Sequence, residues 1–307
     1  MIITVCANPA FDKTATVPQL VLGDMNRLEN IRYDAGGKGI NVALALRQLG
    51  AEATCIGCLG TENSSEFLKL TDENNLPFKY LAISGKTRTN LKIFNELDSR
   101  VSEFNEPGLE MSAAQFDQLL QLLKQEMASC SYLALCGSLP KGLGADAYQR
   151  IIEAFPTHRC VLDADGELLR LGIQAKPFLI KPNVSELERL MQTEIRTLSA
   201  IQEAAINLTK QGVKNVIVSM GKDGALYTDG IQTFFAAALK IVPKSSVGAG
   251  DSMLAGVLLG LDQALSWQEA FQYGVAAGAA SASMEGTQPV RHADVMKLAA
   301  QVVLEQL

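Results

Sequence analysis

The chain has only two histidines and a single Cys-x-x-Cys pair, Cys55-Ile-Gly-Cys58, with no second pair to complete a zinc site. Its six cysteines (Cys6, Cys55, Cys58, Cys130, Cys136, Cys160) fall mostly within apolar runs. They read as free thiols in core strands of a protein kept in a reducing compartment. The N-terminus lacks a basic segment followed by a long apolar stretch, and no uninterrupted apolar run reaches membrane-spanning length. A cytoplasmic protein with no membrane partner is therefore expected. Positive charge is also in deficit, with a formal net charge of −6. That excludes a sequence-blind grip on nucleic acid as the main activity. Internal repeats and low-complexity segments are missing as well. An acidic protein that binds an anion must concentrate cations locally, which singles out Lys38, Arg88 and Arg27.

What is present is ample apolar material: 48% of 307 residues are hydrophobic. This suffices for one large α/β domain or two smaller ones. Buried-strand patterns alternate with helical ones. Strands are expected over 2–7, 53–59, 78–83, 132–136, 159–163, 178–181 and 214–219. Helices are expected over 38–49, 63–75, 112–128, 144–154, 184–191 and 198–211. Three more helices, near 250–261, 267–284 and 292–305, are expected to close the chain. Such alternation implies right-handed crossovers and an α/β, doubly wound, mainly parallel sheet flanked by helices. Two stretches, about 11–34 and 88–105, have strand-like alternation instead. They read as a small antiparallel β lid on a single domain spanning 1–307, or alternatively as extra strands of the main sheet.

Four segments carry candidate chemistry. In Ser246-Val-Gly248-Ala249-Gly250-Asp251-Ser252, glycines lead into an apolar helix. Turned backbone N–H groups and the positive end of a helix favour a phosphate or a developing negative charge there. Asp251 could be only a helix cap; beside an anion cradle it could instead take a proton from an attacking hydroxyl. In Ala35-Gly36-Gly37-Lys38-Gly39-Ile40-Asn41 the Walker A spacing is absent, and Lys38 and Asn41 fall three apart at a helix start. That segment is either a ligand-approach loop or a plain strand-to-helix turn. Lys181-Pro182-Asn183-Val-Ser-Glu186 forms a capping box of the Asn type, or arranges water and metal around a nucleotide. Ser219-Met-Gly221-Lys-Asp-Gly224 ends a strand, where open α/β sheets bind ligands, and also suits a turn before a hairpin. Asp12, Arg88 and Lys141 would by default be solvated surface charges.

Taken together these segments resemble the ribokinase-like, or PfkB-type, carbohydrate kinases over essentially the whole length. Gly-Gly-Lys-Gly-x-Asn at 36–41 and Gly-Ala-Gly-Asp at 248–251 match the two family signatures. The order of Asn8-Pro9-x-x-Asp12, Gly137-Ser138-Leu139-Pro140, Lys181-Pro182-Asn183 and Ser219-x-Gly221 matches too. Asn26-Arg27 and Arg88 resemble the sugar-phosphate branch, and Phe104-Asn-Glu-Pro-Gly108 is most similar to its 1-phosphofructokinases. One departure is Cys136, where that branch more often has Ser.

The resemblance implies a catalytic base at Asp251 and an anion hole from the N–H groups of Gly248, Ala249 and Gly250. It implies sugar binding by Asp12, Gly37, Lys38 and Asn41, and a phosphate grip by Arg88 and Arg27 with Ser138 nearby. The ATP site would be lined by Lys181, Asn183, Ser219, Gly221 and Gly224, with Glu186 placing Mg²⁺ through water. The implied reaction is phosphorylation of fructose 1-phosphate by ATP, with homodimers formed through the lid. Tagatose 6-phosphate and fructose 6-phosphate are the alternative acceptors. A catalytically silent sensor of sugar phosphate or nucleotide is the non-enzymatic alternative.

Overall fold

The computed structural model describes residues 1–245, 247–284 and 290–307. The chain begins β1 (Ile2–Cys6), β2 (Ala10–Val17), β3 (Glu29–Gly36), α1 (Lys38–Gln48), β4 (Ala53–Gly60), α2 (Ser64–Glu73) and β5 (Phe78–Ile83). It continues with β6 (Arg88–Asn95), β7 (Arg100–Asn105), α3 (Ala113–Glu126), β8 (Tyr132–Cys136), α4 (Ala147–Ala154) and β9 (Arg159–Asp163). Next come α5 (Gly166–Gln174), β10 (Leu179–Ile180), α6 (Val184–Met191), α7 (Leu198–Lys210), β11 (Val216–Ser219), β12 (Ala225–Thr228) and β13 (Thr233–Ala236). It closes with α8 (Ala249–Asp262), α9 (Trp267–Ala282), α10 (His292–Ala299) and β14 (Leu304–Gln306).

Ten strands form one sheet in the order β14-β13-β12-β11-β10-β9-β8-β1-β4-β5. From β5 to β11 every pair is parallel, and the last three strands turn antiparallel. The inner parallel strands β1, β4, β8 and β9 are almost uniformly buried, as strands covered on both faces must be, whereas the edge strand β5 is only partly covered. Two apolar cores sandwich the sheet. One lies under α3, α4, α5 and α7, the other under α1, α8, α9 and α10. Cys55 and Cys58 sit in β4 as buried core thiols.

The four remaining strands make a separate sheet in the order β3-β2-β6-β7. Its residues coincide with the two irregular stretches. The outer pairs are antiparallel, but β2 and β6 run parallel. That direction follows from the chain path. Each strand continues outward from the same end of a body strand, β2 from β1 and β6 from β5, and those body strands are parallel.

Two parts of the reading from sequence need correction. The closing helix stops at Ala299, and Leu304–Gln306 pairs as an edge strand with β13. Helix α5 was not anticipated, and the turn at 219–224 does open antiparallel strands, β12 and β13, whose bounds the sequence did not give. Ser246, named with the glycine loop, lies outside the described residues.

Candidate active site

The cleft lies at the carboxyl ends of the parallel strands, between the main sheet and the small one. The strand ends deliver Gly137 and Ser138 after β8, Lys181 after β10, and Ser219 with Gly221 after β11 to its lining. This is where an open α/β sheet leaves unpaired strand ends and loops for ligands. The cleft encloses about 1340 Å³. One drug-sized ligand occupies roughly 300–1,000 Å³, so there is room for two molecules side by side.

Helix α8 enters the cleft with its N-terminus. The cap residue Gly248 has φ 79°, a left-handed conformation that glycine adopts freely. Asp251 is not that cap. It sits three residues on, in the first turn, and makes no capping bond. The helical ladder opens with Ser252 N donating to Gly248 O at 2.8 Å, so the preceding N–H groups have no acceptor within the helix. Helix α8 is apolar on all sides and nearly wholly buried, and it crosses α9 at very short range. A Cβ at Gly256 would lie 2.8 Å from the Tyr273 carbonyl oxygen. That close packing anchors the helix start.

Asp251 is a buried residue, its side chain 12% exposed, and its carboxylate accepts a hydrogen bond from Asn41 Nδ2 at 2.9 Å. Lys38 Nζ stands 3.8 Å from its other oxygen and 3.0 Å from Asp163 Oδ1. Lys181 Nζ lies 3.3 Å from Asp163 Oδ2. Lys38 and Asn41 both come from the first turn of α1, so one helix start supplies two partners to the start of another. Burial pushes the Asp251 carboxyl above its ordinary range, and Asp163 adds to the push. Lys38, Asn41 and Lys181 pull the other way without cancelling it. Burial also works against the charged form of Lys38, but Asp163, Asp251 and Glu186 outweigh it and hold the ammonium well above its usual range.

One end of the cleft is built by the small sheet. Asp12 is 3% exposed and accepts from Asn90 Nδ2 at 3.0 Å and from Lys92 Nζ at 2.6 Å. Gly36 leaves the space for that carboxylate, because a Cβ there would stand 2.3 Å from Asp12 Cγ. Arg88 donates to the carbonyls of Asn8, Pro9 and Glu106, at 3.0, 3.4 and 2.7 Å. Three of its five N–H groups are thereby fixed, and its orientation with them. Ser138 accepts from Asn8 Nδ2 at 3.2 Å.

At the opposite end Asn183 caps α6, and the capping box with Glu186 is complete in both directions. Capping does not remove either residue from the cleft, since both line it. Leu239, Ile241, Pro243, Val275 and Ala279 give this end an apolar wall suited to an aromatic base.

The structure thus brings together Gly248, Ala249, Gly250, Asp251, Asp12, Gly37, Lys38, Asn41, Arg88, Ser138, Lys181, Asn183, Glu186, Ser219, Gly221 and Gly224. Arg27 is the exception. It is exposed and is not among the lining residues. β2 starts at the body and runs eight residues outward, about 25 Å at strand rise. The loop carrying Arg27 joins the outer ends of β2 and β3, at the end of the small sheet away from the body. Lys141, whose default was a solvated charge, is exposed and does not line the cleft.

Sequence reasoning missed Asp163, Asn90, Lys92 and Lys222. Lys222 lines the cleft. Asp163 had one signal, an acid closing an otherwise apolar strand. Asn90 and Lys92 follow Arg88 at alternate positions of β6 and share its face.

Comparison with known proteins agrees with this geometry. The family described as "pfkB family carbohydrate kinase" matches residues 7–293. A 1-phosphofructokinase from Rhodobacter capsulatus is 38% identical over 270 residues, covering 86% of this chain and 85% of its own. One from Borreliella burgdorferi is 34% identical, with 100% and 99% covered. Among solved structures, phosphofructokinase-2 from Escherichia coli in complex with potassium superposes with a TM-score of 0.92 at 30% identity, over 98% of both chains. On this evidence the chain belongs to the pfkB family of carbohydrate kinases.

Proposed function

We propose that this kinase transfers the γ-phosphate of ATP to the 6-hydroxyl of fructose 1-phosphate, giving fructose 1,6-bisphosphate and ADP. The observation that carries the chemistry is the Asp251 carboxylate, held by Asn41 and Lys38 beside the open N-terminus of α8. The relatives named 1-phosphofructokinase, which match over most of the chain, support the choice of sugar.

In this reading the sugar lies between Asp12 and Asp251 with its 6-hydroxyl at Asp251. The hydroxyl gives its proton to the carboxylate as its oxygen bonds to the γ-phosphorus. The bond from that phosphorus to the β–γ bridging oxygen breaks, and ADP departs. The N–H groups of Gly248, Ala249 and Gly250 face the charge on the transferring group, where fixed dipoles are most effective. Lys181, Asn183, Ser219, Gly221 and Gly224 line the ATP end. Among the described residues no cluster of three His, Cys, Asp or Glu could hold a metal ion. A hydrated Mg²⁺ carried mainly on the ATP phosphates, with Glu186 reached through water, fits that sparse donor set. Such an ion would neutralise phosphate charge.

The small sheet serves as a lid of the single kinase domain, excluding water that would otherwise accept the phosphoryl group. It also exposes Leu22, Met25, Ile31, Tyr33, Val101 and Phe104. A patch of that kind is suited to pairing with a second copy, which supports a homodimer through the lid. No described helix is long and apolar enough to cross a membrane, and we place the enzyme in the cytoplasm.

A coupled ADP-release assay across fructose 1-phosphate, fructose 6-phosphate, tagatose 6-phosphate and unphosphorylated fructose tests the assignment. The highest kcat/KM is expected for fructose 1-phosphate. ATP binding with no product from any sugar would replace the enzyme with a sensor.

A pH prediction follows from Asp251. Its folded-state carboxyl is raised above its unfolded value, so ionising it is harder in the native protein. Between those two values, stability falls as pH rises while the fraction of competent base grows. The acid limb of kcat/KM should therefore lie above the ordinary carboxylate range. A limb at or below that range would contradict a buried base.

A further inference from the structure

The inner face of the small sheet is an unusual surface. Arg88, Asn90 and Lys92 alternate along β6 and all line the cleft, as side chains two apart on a strand must share a face. Asn90 lies opposite Asp12 in the parallel register with β2, and Lys92 lies opposite Glu103 on β7. Asn90, Lys92 and Asp12 are each at least nine-tenths buried. A polar row this buried costs desolvation that a merely structural sheet has no reason to bear.

We propose that Lys92, held against Asp12, is a second cation for the phosphate-bearing end of the sugar and a determinant of specificity for phosphorylated over unphosphorylated substrate. The inference rests on the kinase reading above and names a residue that reading does not use.

Three observations carry it. First, the acceptor hydroxyl must sit at Asp251, which sends the other end of the sugar toward the small sheet. Second, the charged residues that the small sheet contributes to the cleft are two cations, Arg88 and Lys92, and two acids, Asp12 and Glu103. Without Lys92 that end would carry a net negative charge and repel a phosphate dianion. Third, Arg27 does not reach the cleft of its own chain, and three Arg88 N–H groups are already bound to backbone carbonyls. Lys92 has three donors, of which the 2.6 Å bond to Asp12 uses one. Asn90 fixes the other Asp12 oxygen and so holds the pair in place.

The test measures steady-state kinetics of wild type, Lys92→Met and Lys92→Arg, with unphosphorylated fructose as a competitive inhibitor. We expect Lys92→Met to raise KM for fructose 1-phosphate by about 10- to 100-fold, the range for losing a charge-assisted bond. KM for ATP and the inhibition constant of fructose should stay within a few-fold, and Lys92→Arg should stay near wild type. An unchanged KM for the sugar phosphate would overturn the proposal. So would equal weakening of fructose and fructose 1-phosphate, because Lys92 would then only hold Asp12 in position. If Lys92→Met does not fold, Lys92→Arg against Lys92→Gln gives the same reading. Should the wild type act on another sugar phosphate, the substrate assignment fails, and that sugar replaces fructose 1-phosphate in this test.

Discussion

Replacing Asp251 by Asn should lower kcat by about 10²- to 10⁴-fold, the usual contribution of a general base, while leaving the ATP affinity near that of wild type. The substitution is nearly isosteric, and the Asn side-chain oxygen can still accept from Asn41. What disappears is the proton acceptor beside the anion cradle. Lys38 would retain Asp163 at 3.0 Å, so the surrounding network should keep its shape. The measurement is initial rate at saturating sugar and ATP, with nucleotide binding followed separately by calorimetry. Turnover within a few-fold of wild type would remove Asp251 from the role of base. A matched loss of ATP binding would instead show that the loop had rearranged.

The second large effect concerns stability. Asp163 is 1% exposed and shared by two lysines, of which Lys181 is 3% exposed. Asp163→Asn keeps the volume but strands the Lys181 ammonium in the interior without its counter-charge. Removing one partner of a buried pair costs about 3–5 kcal/mol. Lys38 still has Asp251 at 3.8 Å, so the lower end of that range is expected. A domain of 150–250 residues shifts by roughly 2–4 °C in Tm per kcal/mol and a longer chain by somewhat less, so a drop of several degrees should still be evident in a thermal melt. An unchanged Tm would mean that Lys181 finds other solvation and that Asp163 is not the keystone of the network. Activity should fall too, since Lys181 would lose its fixed position at the cleft and Lys38 would keep only the longer contact to Asp251.

The body of the fold was legible because its strands are short apolar runs and its helices carry clear start signals. The capping boxes at Ser112–Gln115 and Asn183–Glu186 are both formed as the spacing requires. The small sheet was visible for the opposite reason: it lacked helical period. Its internal direction was not legible, because whether β2 and β6 run parallel depends on where each leaves the main sheet. The C-terminal strand was hidden for a similar reason. Three residues of β14 carry no pattern of their own, and their pairing is set by β13, some seventy residues earlier.

Within the site, glycine-rich motifs announced the two helix starts, since few other sequences allow such backbone. Asn90 and Lys92 were silent, and Asp163 offered only its place at the end of an apolar strand, because a single buried acid or lysine does not reveal its role locally. Its meaning comes from partners such as Lys38, Lys181 and Asp12, which only the folded chain brings near. Arg27 is a cation in that same stretch of sequence, but it is exposed on the loop after β2 and does not line the cleft of its own chain.

The most direct test follows phosphorus itself. Wild-type protein is incubated with ATP, Mg²⁺ and fructose 1-phosphate, and the products are read by ³¹P NMR. A new phosphate ester at carbon 6, with ADP in equal amount, is the predicted result. ATP hydrolysis to free phosphate, or no consumption of fructose 1-phosphate while another sugar phosphate is esterified, would contradict the account.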